Sequence, residues 1–348
     1  MKKIGILLSS FLLLTTIIMT PSSVSAAANA IGVNPRRDYI VSPGDKISET
    51  LFVNNIDKTE ELTVKVEIID FQSQNETGSP ALLLKATQPT KWSLKPFMTI
   101  SSQYKIAAGK SVEVPFTISI PKNLGAGSYY SAVRYSAVNP DTGENVSLTS
   151  SAVTLLFVRV SGEARSSLTL DDFGAFTPNE DFTSGVFGKF YGASKPSYVS
   201  YKLRNNGNIA EQPTGSILIK DTFGKEYKLF QDANPGKNLV LIGQTRRIDV
   251  CLNEERKTIK NADTGVDMED VKCNAPNLKP GRYTAQLGLV YGTNGNSSQE
   301  LRETATFWYL PAWFIVSVLA GFAAVAFGVW TLIKKVKSFR KPTYGSRR

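Results

Sequence analysis

The side chains that most often carry catalysis are scarce in this chain of 348 residues. It contains no histidine and two cysteines, Cys251 and Cys273. Without histidine, neither a Ser-His-Asp nor a Cys-His nucleophilic site can form, and a zinc site with a histidine ligand is excluded. The glycine cluster GVFGKFYG at 185–192 lacks the Lys-Ser/Thr ending of a phosphate-binding loop. Carboxylates are therefore the remaining candidates for chemistry.

Four pairs of adjacent acids are expected to lie outside the strands. The pairs are Asp171-Asp172, Glu180-Asp181, Glu254-Glu255 and Glu269-Asp270. Adjacent residues of an extended chain point to opposite faces, whereas a glycosidase needs two carboxyl groups about 5 to 9 Å apart across one cleft. The calcium-loop pattern D-x-[DN]-x-[DN]-G is absent as well. We interpret these acids as solvated loop residues and expect no enzyme, no catalytic residue, no metal site and no cofactor.

The two cysteines flank a charged, turn-prone insertion, LNEERKTIKNADTGVDMEDVK, which has little apolar pattern. In an oxidising compartment a lone pair of cysteines most simply forms a disulfide, which here would join Cys251 and Cys273. Two free thiols are the alternative.

The two ends of the chain indicate secretion and membrane anchoring. Residues 1–30 combine the basic start MKK, an uncharged apolar run and the small-residue segment VSAAANA, which predicts a cleaved signal peptide. Residues 309–333 form an apolar run with aromatic residues at both edges, long enough to cross about 30 Å of hydrocarbon as a helix. The tail, 334–348, carries seven Lys or Arg residues and no acid. The positive-inside rule therefore predicts a single-pass cell-membrane protein with an extracytoplasmic N-terminal part and a cytoplasmic tail.

This topology accounts for the net charge of +10. The tail and the signal hold nine of the 40 basic groups and none of the 30 acidic groups, so the remaining part is close to neutral. A nucleic-acid partner is therefore not expected.

Between the two ends the apolar residues alternate with period two. Runs such as ELTVKVEIIDF, SVEVPFTISI and SAVTLLFVRV are rich in β-branched and aromatic residues, and Gly, Pro, Asn and Asp separate them. No window predicts an amphipathic helix. The pattern stops at a polar segment, 161–167, and then resumes, and DTFG (221–224) is predicted to form a hairpin turn in the second part. We predict an all-β chain of two tandem immunoglobulin-like β-sandwich domains, 31–160 and 168–308, joined by a linker at 161–167 and followed by one transmembrane helix.

A repeat supports the division into two domains. The segment FVNN (52–55) parallels LRNN (203–206), and IPKNLGAGSYY parallels APNLKPGRY. In the second pair, Gly127 and Tyr129 match Gly281 and Tyr283. The glycine suits a turn with positive φ, and the tyrosine can bury its ring while its hydroxyl reaches a backbone partner. We therefore interpret the repeat as a feature of the fold and not as a binding site.

The layout resembles the WxL-interacting surface proteins of Gram-positive bacteria. The segments that carry the resemblance are SPGDKISETLFVNN, SVEVPFTISIPKNLGAGSYYSAVRY and YKLRNNGNIAEQPTGSILIKDTFGKEY. The resemblance implies a first domain that binds peptidoglycan and a second that engages a partner or host surface protein. It transfers no binding residue to a position of this sequence.

The expected function is that of a membrane-anchored cell-envelope protein whose non-catalytic β-sandwich domains bind peptidoglycan, another wall glycan or a partner surface protein. Two alternatives stay open at this point. One is an enzyme that uses carboxylates to act on wall polymers, and the other is a membrane-anchored, chaperone-like protein that donates a strand to its clients.

Overall fold

The computed structural model describes residues 31–138, 150–177, 191–192, 195–260, 267–292 and 298–339. Within these ranges the chain is all-β as far as Tyr309 and then forms one apolar helix, as the periodicity predicts. Two single 3-10 turns, Asn75–Thr77 and Lys95–Phe97, interrupt the β structure. The predicted signal peptide, the acids Glu180 and Asp181, and the tail from 340 onward lie outside the described residues.

The N-terminal lobe, residues 31–160, is built from two main sheets. One has the strand order β1-β3-β9-β7 and the other β2-β11-β10-β4-β8, while β5 and β6 form a separate hairpin. All pairs are antiparallel except β2 with β11, which run parallel. The strands are β1 (Ile31–Val33), β2 (Arg36–Val41), β3 (Lys46–Asn55), β4 (Leu62–Ile69), β5 (Phe71–Gln74), β6 (Ser79–Leu82), β7 (Met98–Ile100), β8 (Gln103–Ile106), β9 (Ser111–Ser119), β10 (Gly127–Ala137) and β11 (Ser151–Val160).

The C-terminal lobe, residues 168–309, repeats this arrangement. Its sheets have the orders β12-β14-β17 and β13-β21-β20-β15-β16, and β13 again runs parallel to its neighbour β21. A further hairpin, β18 with β19, stands apart from both sheets. The strands are β12 (Leu168–Phe176), β13 (Tyr191–Gly192), β14 (Tyr198–Asn205), β15 (Thr214–Lys220), β16 (Glu226–Phe230), β17 (Thr245–Cys251), β18 (Glu254–Lys260), β19 (Asp267–Cys273), β20 (Gly281–Tyr291) and β21 (Gln299–Tyr309).

Each lobe encloses its own hydrophobic core. In β9 the buried residues Val114, Phe116 and Ile118 alternate with more exposed ones. In β20 the buried residues Tyr283, Ala285, Leu287 and Leu289 do the same. This period-two burial puts one face of each strand into the core and the other outside, which is the alternation that the sequence shows.

The repeated Gly-x-Tyr segment has the same structure in both lobes. Gly127 and Gly281 open β10 and β20 with φ of +148° and +157°, a backbone conformation that L side chains rarely adopt. The hydroxyl of Tyr129 donates to the carbonyl of Gly125 at 3.0 Å, and that of Tyr283 to the carbonyl of Lys279 at 2.9 Å. The proposed tyrosine hydrogen bond to the backbone is therefore present twice.

The asparagine repeat is also real, but the sequence alignment of FVNN with LRNN is wrong by one residue. Asn55 and Asn205 end equivalent strands and are buried. In both, Oδ1 accepts from the backbone N–H two residues later, and Nδ2 donates to two backbone carbonyls. A letter-by-letter match of the two segments pairs Asn55 with Asn206, because the sequence does not indicate which of two adjacent asparagines is buried.

The insertion between the cysteines is a β-hairpin rather than an unpatterned loop. Cys251 and Cys273 form a disulfide, with their Cα atoms 5.7 Å apart, at the base of β18 and β19. Apolar burial does not stabilise this hairpin, because β18 is exposed along its whole length. Charged pairs act across and along it instead, with Arg256 contacting both Glu254 at 2.9 Å and Glu269 at 3.3 Å.

The C-terminal helix α1 spans Ala312–Phe339. It begins three residues later and ends six residues later than the predicted 309–333, because Tyr309 still pairs with Gly281 in the sheet and the lysines after Ile333 favour a helix. Its residues Ala312–Lys337 are long and apolar enough to cross a membrane by length and composition, with a mean hydropathy of 2.2.

Candidate functional site

The two lobes meet through an aromatic cluster on the outer face of the β2-β11-β10-β4-β8 sheet. Tyr130, which is fully buried, contacts Phe71 and Phe157 with ring centroids 5.1 and 5.8 Å apart, and Trp92 stacks on it at 5.9 Å. Trp92 therefore belongs to this contact. The C-terminal lobe contributes apolar residues from two loops: Leu239, Leu241 and Ile242 from one, and Ala210 from the other.

Backbone hydrogen bonds reinforce this contact at the start of β10. The N–H of Ser128 donates to the carbonyl of Asn208 at 2.9 Å, and the Ser128 hydroxyl accepts from the N–H of Ala210 at 2.9 Å. The approach is so close that a Cβ on Gly127 would lie 2.6 Å from the Asn208 carbonyl oxygen. Glycine is thus required here by its φ and by the neighbouring lobe. The first copy of the repeated motif therefore also joins the lobes.

Side-chain contacts at the far side of the interface hold the same orientation. Lys202 pairs with Glu76 at 2.6 Å, and the N–H of Ser73 donates to Oε1 of Gln244 at 2.7 Å. An interface that combines an apolar centre with directed hydrogen bonds at both edges resists sliding of one lobe over the other.

Beside this contact the lobes diverge and leave an open cleft of about 330 Å³. One wall is formed by the outward-facing residues of β2 and β11, and the other by the two loops of the C-terminal lobe. The residues lining the cleft are Arg36, Asp38, Tyr39, Ile40, Ser128, Phe157, Val158, Arg159, Ala210, Gln212 and Leu239.

The first guanidinium of the cleft is held in place by its own strand. Arg36 donates from Nε and Nη2 to the two carboxylate oxygens of Asp38 at 2.8 and 2.7 Å. Its Cζ also lies 5.0 Å from the ring centroid of Phe157. The two-point ion pair and the aromatic contact orient the planar group at the wall of the cleft.

Arg159 is the second guanidinium of the cleft, so the lining carries two guanidiniums against the one carboxylate of Asp38. Burial lowers the pKa of Arg159 from its ordinary value, against a smaller opposing effect of the Glu211 carboxylate. Outside the lining, Arg246 donates to the carbonyl of Leu239 and to Oδ1 of Asn238, and burial and the nearby positive charge of Arg36 lower its pKa. A ligand that supplies a negative charge would favour the charged form of Arg159.

Glu211 is the buried carboxylate of the region, with 1% of its surface exposed. Its Oε2 accepts from the N–H of Gly292 at 3.1 Å, while Oε1 has no hydrogen-bond partner among the described residues. Its backbone pairs with Val240 in both directions, which fixes the main chain at this position. Glu211 does not line the cleft, where Arg36 and Arg159 exceed the carboxylate of Asp38 by one charge.

The free edge of β2 borders the cleft. The carbonyls of Pro35 and Val41 accept from β11, at 2.9 and 2.8 Å, and in a parallel ladder the N–H and C=O of alternate residues point to opposite sides. The backbone groups of Asp38 and Ile40 therefore point away from β11. In the ranges that the structure covers, no strand pairs with this edge, and Ile40 is 74% exposed. An exposed edge of this kind is a template for another extended chain.

The acid pairs predicted from the sequence do not converge. Contrary to expectation, the three described pairs lie in strands: Asp171-Asp172 at an irregularity of β12, Glu254-Glu255 in β18 and Glu269-Asp270 in β19. Their charges are used in ion pairs, such as Arg204 with Asp171 at 2.8 Å. Among the described residues no cluster of three or more metal-ligating side chains occurs.

The cleft residues were missed at the sequence level. Sequence patterns indicate strands and turns, but they do not indicate which face of a strand lines the space between two lobes. The adjacent arginines of "NPRRDY" were the available signal, since a charged, short strand after proline is typical of a sheet edge.

No protein-family model matches the chain, and no curated protein is similar to it. Among solved structures, the chain is similar to the class 5 fimbriae chaperone CfaA, with 14% identity, a TM-score of 0.38, and coverage of 81% of this chain and 100% of that one. It is also similar to a complex of the Salmonella enterica SafA pilin with the SafB chaperone (11%, 0.33, 79% and 96%) and to the E. coli chaperone DraB (12%, 0.32, 79% and 96%). At such scores the comparison assigns neither a family nor an activity to the chain.

Proposed function

We propose that this protein is a membrane-anchored, non-catalytic protein of the cell envelope that binds an extended segment of a partner surface protein in the cleft between its lobes. The observation that carries the proposal is the unpaired edge of β2 beside a cleft with an excess of guanidinium groups. The segment would add a strand along Asp38 and Ile40, and an acidic group on it would pair with Arg159. Main-chain pairing supplies affinity in this binding mode, and the side-chain pocket supplies selectivity.

The rigid contact between the lobes supports this function. Because Tyr130 and the Ser128–Asn208 bond fix the relative position of the lobes, the cleft is formed before the partner arrives. Preorganisation reduces the ordering cost of binding, so that a short segment suffices for useful affinity.

The proposed topology follows the ends of the chain. A signal peptide at 1–30 directs export, and two immunoglobulin-like domains at 31–160 and 168–308, joined at 161–167, face outward. The helix described from Ala312 spans the membrane, and its basic C-terminal side lies in the cytoplasm. Membership of the WxL-interacting proteins is part of this proposal, and a partner surface protein agrees with what that resemblance implies.

A photo-cross-linking experiment tests the binding site. A benzophenone amino acid replaces Ile40 in the full-length protein, and the same replacement at Phe52, which is 50% exposed on the other sheet, serves as the matched control. We expect ultraviolet light to attach one discrete protein at position 40 in intact envelopes and none at position 52. Arg159→Gln should lower the yield, and Arg159→Lys should preserve part of it.

Other results would contradict the proposal in distinct ways. Equal adducts at both positions would place the partner elsewhere. If digestion with a muramidase reduces the mass of the adducts at position 40, the ligand is wall glycan. That result would agree with the peptidoglycan binding expected from the sequence.

A chaperone-like function is the second candidate, because the same free edge of β2 can complete the sheet of a client that lacks a strand. The two functions differ in what happens to the partner. A client would lose its folded state, and its resistance to proteolysis, in cells without this protein. A stable surface partner would stay folded and would only lose its attachment.

A further inference from the structure

The hairpin tip between β15 and β16 carries the most exposed large apolar side chain among the described residues. Phe223 is 92% exposed. The tip is well ordered by hydrogen bonds: Oδ1 of Asp221 accepts from the N–H groups of Phe223 and Lys225 at 2.9 and 3.0 Å, and the N–H of Gly224 donates to the carbonyl of Asp221 at 3.0 Å. The turn therefore holds the phenylalanine ring at a fixed place on the surface of the lobe, and its position relative to helix α1 decides what the ring can contact.

The position of this tip is fixed relative to the start of helix α1. The hydroxyl of Thr222 accepts from the N–H of Arg282 at 2.9 Å and donates to its carbonyl at 3.0 Å. Arg282 in turn pairs with Trp308 of β21, and the neighbouring Gly281 pairs with Tyr309. The tip therefore lies level with the last residues of β21, at the same end of the lobe.

Only two residues separate the end of β21 at Tyr309 from the beginning of the helix at Ala312. An extended chain covers at most about 3.6 Å per residue, so this end of the lobe is within roughly 11 Å of the helix. The tip stands two strands away from β21, or roughly 10 Å along the sheet. If helix α1 crosses the membrane, the end of the lobe that carries Phe223 therefore lies close to the lipid surface.

We propose that the 221–225 tip is a second membrane contact, in which the Phe223 ring enters the headgroup region of the outer leaflet and sets the tilt of the ectodomain. The proposal rests on the membrane anchoring in the proposed function. Aromatic residues are favoured at this depth, and Trp308, 37% exposed on the same level, is placed to contact the same region. The lysines Lys225 and Lys279 lie beside the ring and can pair with lipid phosphates, but Asp221 and Glu226 balance their charge, so the ring rather than a net positive charge is the main contribution to this contact.

The test uses the full-length protein in vesicles of phosphatidylcholine and phosphatidylglycerol. Both cysteines of the chain are joined in the disulfide, so Phe223→Cys introduces a single thiol for an environment-sensitive fluorophore. Ile40→Cys, at an exposed apolar position of the other lobe, is the matched control. We expect the emission at position 223 to shift to the blue and to be quenched by lipids with a nitroxide near the headgroup, and the emission at position 40 to do neither.

A second label tests whether the Phe223 ring itself is needed for the contact with lipid. A fluorophore at Lys225→Cys should be shielded by lipid when Phe223 is present and should become solvent-exposed when Phe223→Asp is added. Flotation of the vesicles distinguishes failure of the tip contact from failure of the membrane anchor. If the protein floats but position 223 behaves like position 40, the tip contact is overturned and the anchor stands. If it does not float, the anchor fails, and this inference fails with it.

Discussion

Replacing Gly127 by alanine perturbs the contact between the lobes at its tightest point. An alanine at φ +148° is strained, at a cost of about 1–3 kcal/mol. Its Cβ would also lie 2.6 Å from the Asn208 carbonyl oxygen, a backbone atom that must move. That movement breaks the bond from the Ser128 N–H, which contributes about 1 kcal/mol. We expect the free energy of unfolding to fall by roughly 2–4 kcal/mol.

Hydrogen exchange of the full-length protein in detergent gives the more specific result. The N–H groups of Ser128 and Ala210 both bond across the interface, so Gly127→Ala should accelerate their exchange before the cores of the lobes open. Gly281→Ala is the matched control, because its φ is nearly the same but its Cβ would meet the Thr222 hydroxyl of its own lobe. It should cost similar backbone strain and leave Ser128 and Ala210 protected.

The reasoning would be refuted if Gly127→Ala changed the free energy of unfolding by less than 0.5 kcal/mol, or if both variants accelerated exchange at Ser128 equally. The first result would mean that the glycine conformation is not required. The second would mean that the loss comes from backbone strain alone and that the lobes are not joined at this point.

Three more outcomes are expected. Asn205→Ala should lower the free energy of unfolding, measured in urea, by at least about 2 kcal/mol, because it leaves buried backbone groups unpaired. Asn206→Ala, at an exposed side chain, should change the free energy of unfolding little. Equal effects of the two variants would contradict the assignment of Asn205 as the equivalent of Asn55. The double variant Cys251→Ser, Cys273→Ser should lose about 3 kcal/mol by the loop-entropy relation, and a melting temperature insensitive to reductant would contradict this. Burial raises the pKa of Tyr135 to about 12, so the folded state keeps a proton that the unfolded state releases above pH 10; stability should therefore fall between pH 10 and 12, and Tyr135→Phe should reduce that slope.

The sequence predicts the elements well because their signals are local. Alternation in β9 and β20, the turn at DTFG and the two Gly-x-Tyr segments depend on neighbouring residues, and the structure contains each as predicted. The disulfide follows from the presence of a single pair of cysteines. The apolar helix follows from its length.

The cleft could not be predicted because it depends on distant residues. Phe157 and Tyr130 alternate like any strand residues, and only the docked C-terminal lobe decides that they form an interface. The same applies to Asn205, where the choice between two adjacent asparagines depends on the carbonyl of Val240. The β18–β19 hairpin was not predicted because its strands are linked by ion pairs and show no alternation of apolar residues.

The most direct test of the central claim measures partner binding by the full-length protein with proline or threonine at position 40. Ile40→Pro removes an N–H that points away from β11 and keeps every bond between β2 and β11, whereas Ile40→Thr keeps that N–H and the β propensity. If the partner pairs with this edge, the proline variant should bind at least about fivefold more weakly, for one lost main-chain hydrogen bond of about 1 kcal/mol, and the threonine variant should bind as the parent does. Equal affinity of the two variants would show that the partner does not add a strand to β2.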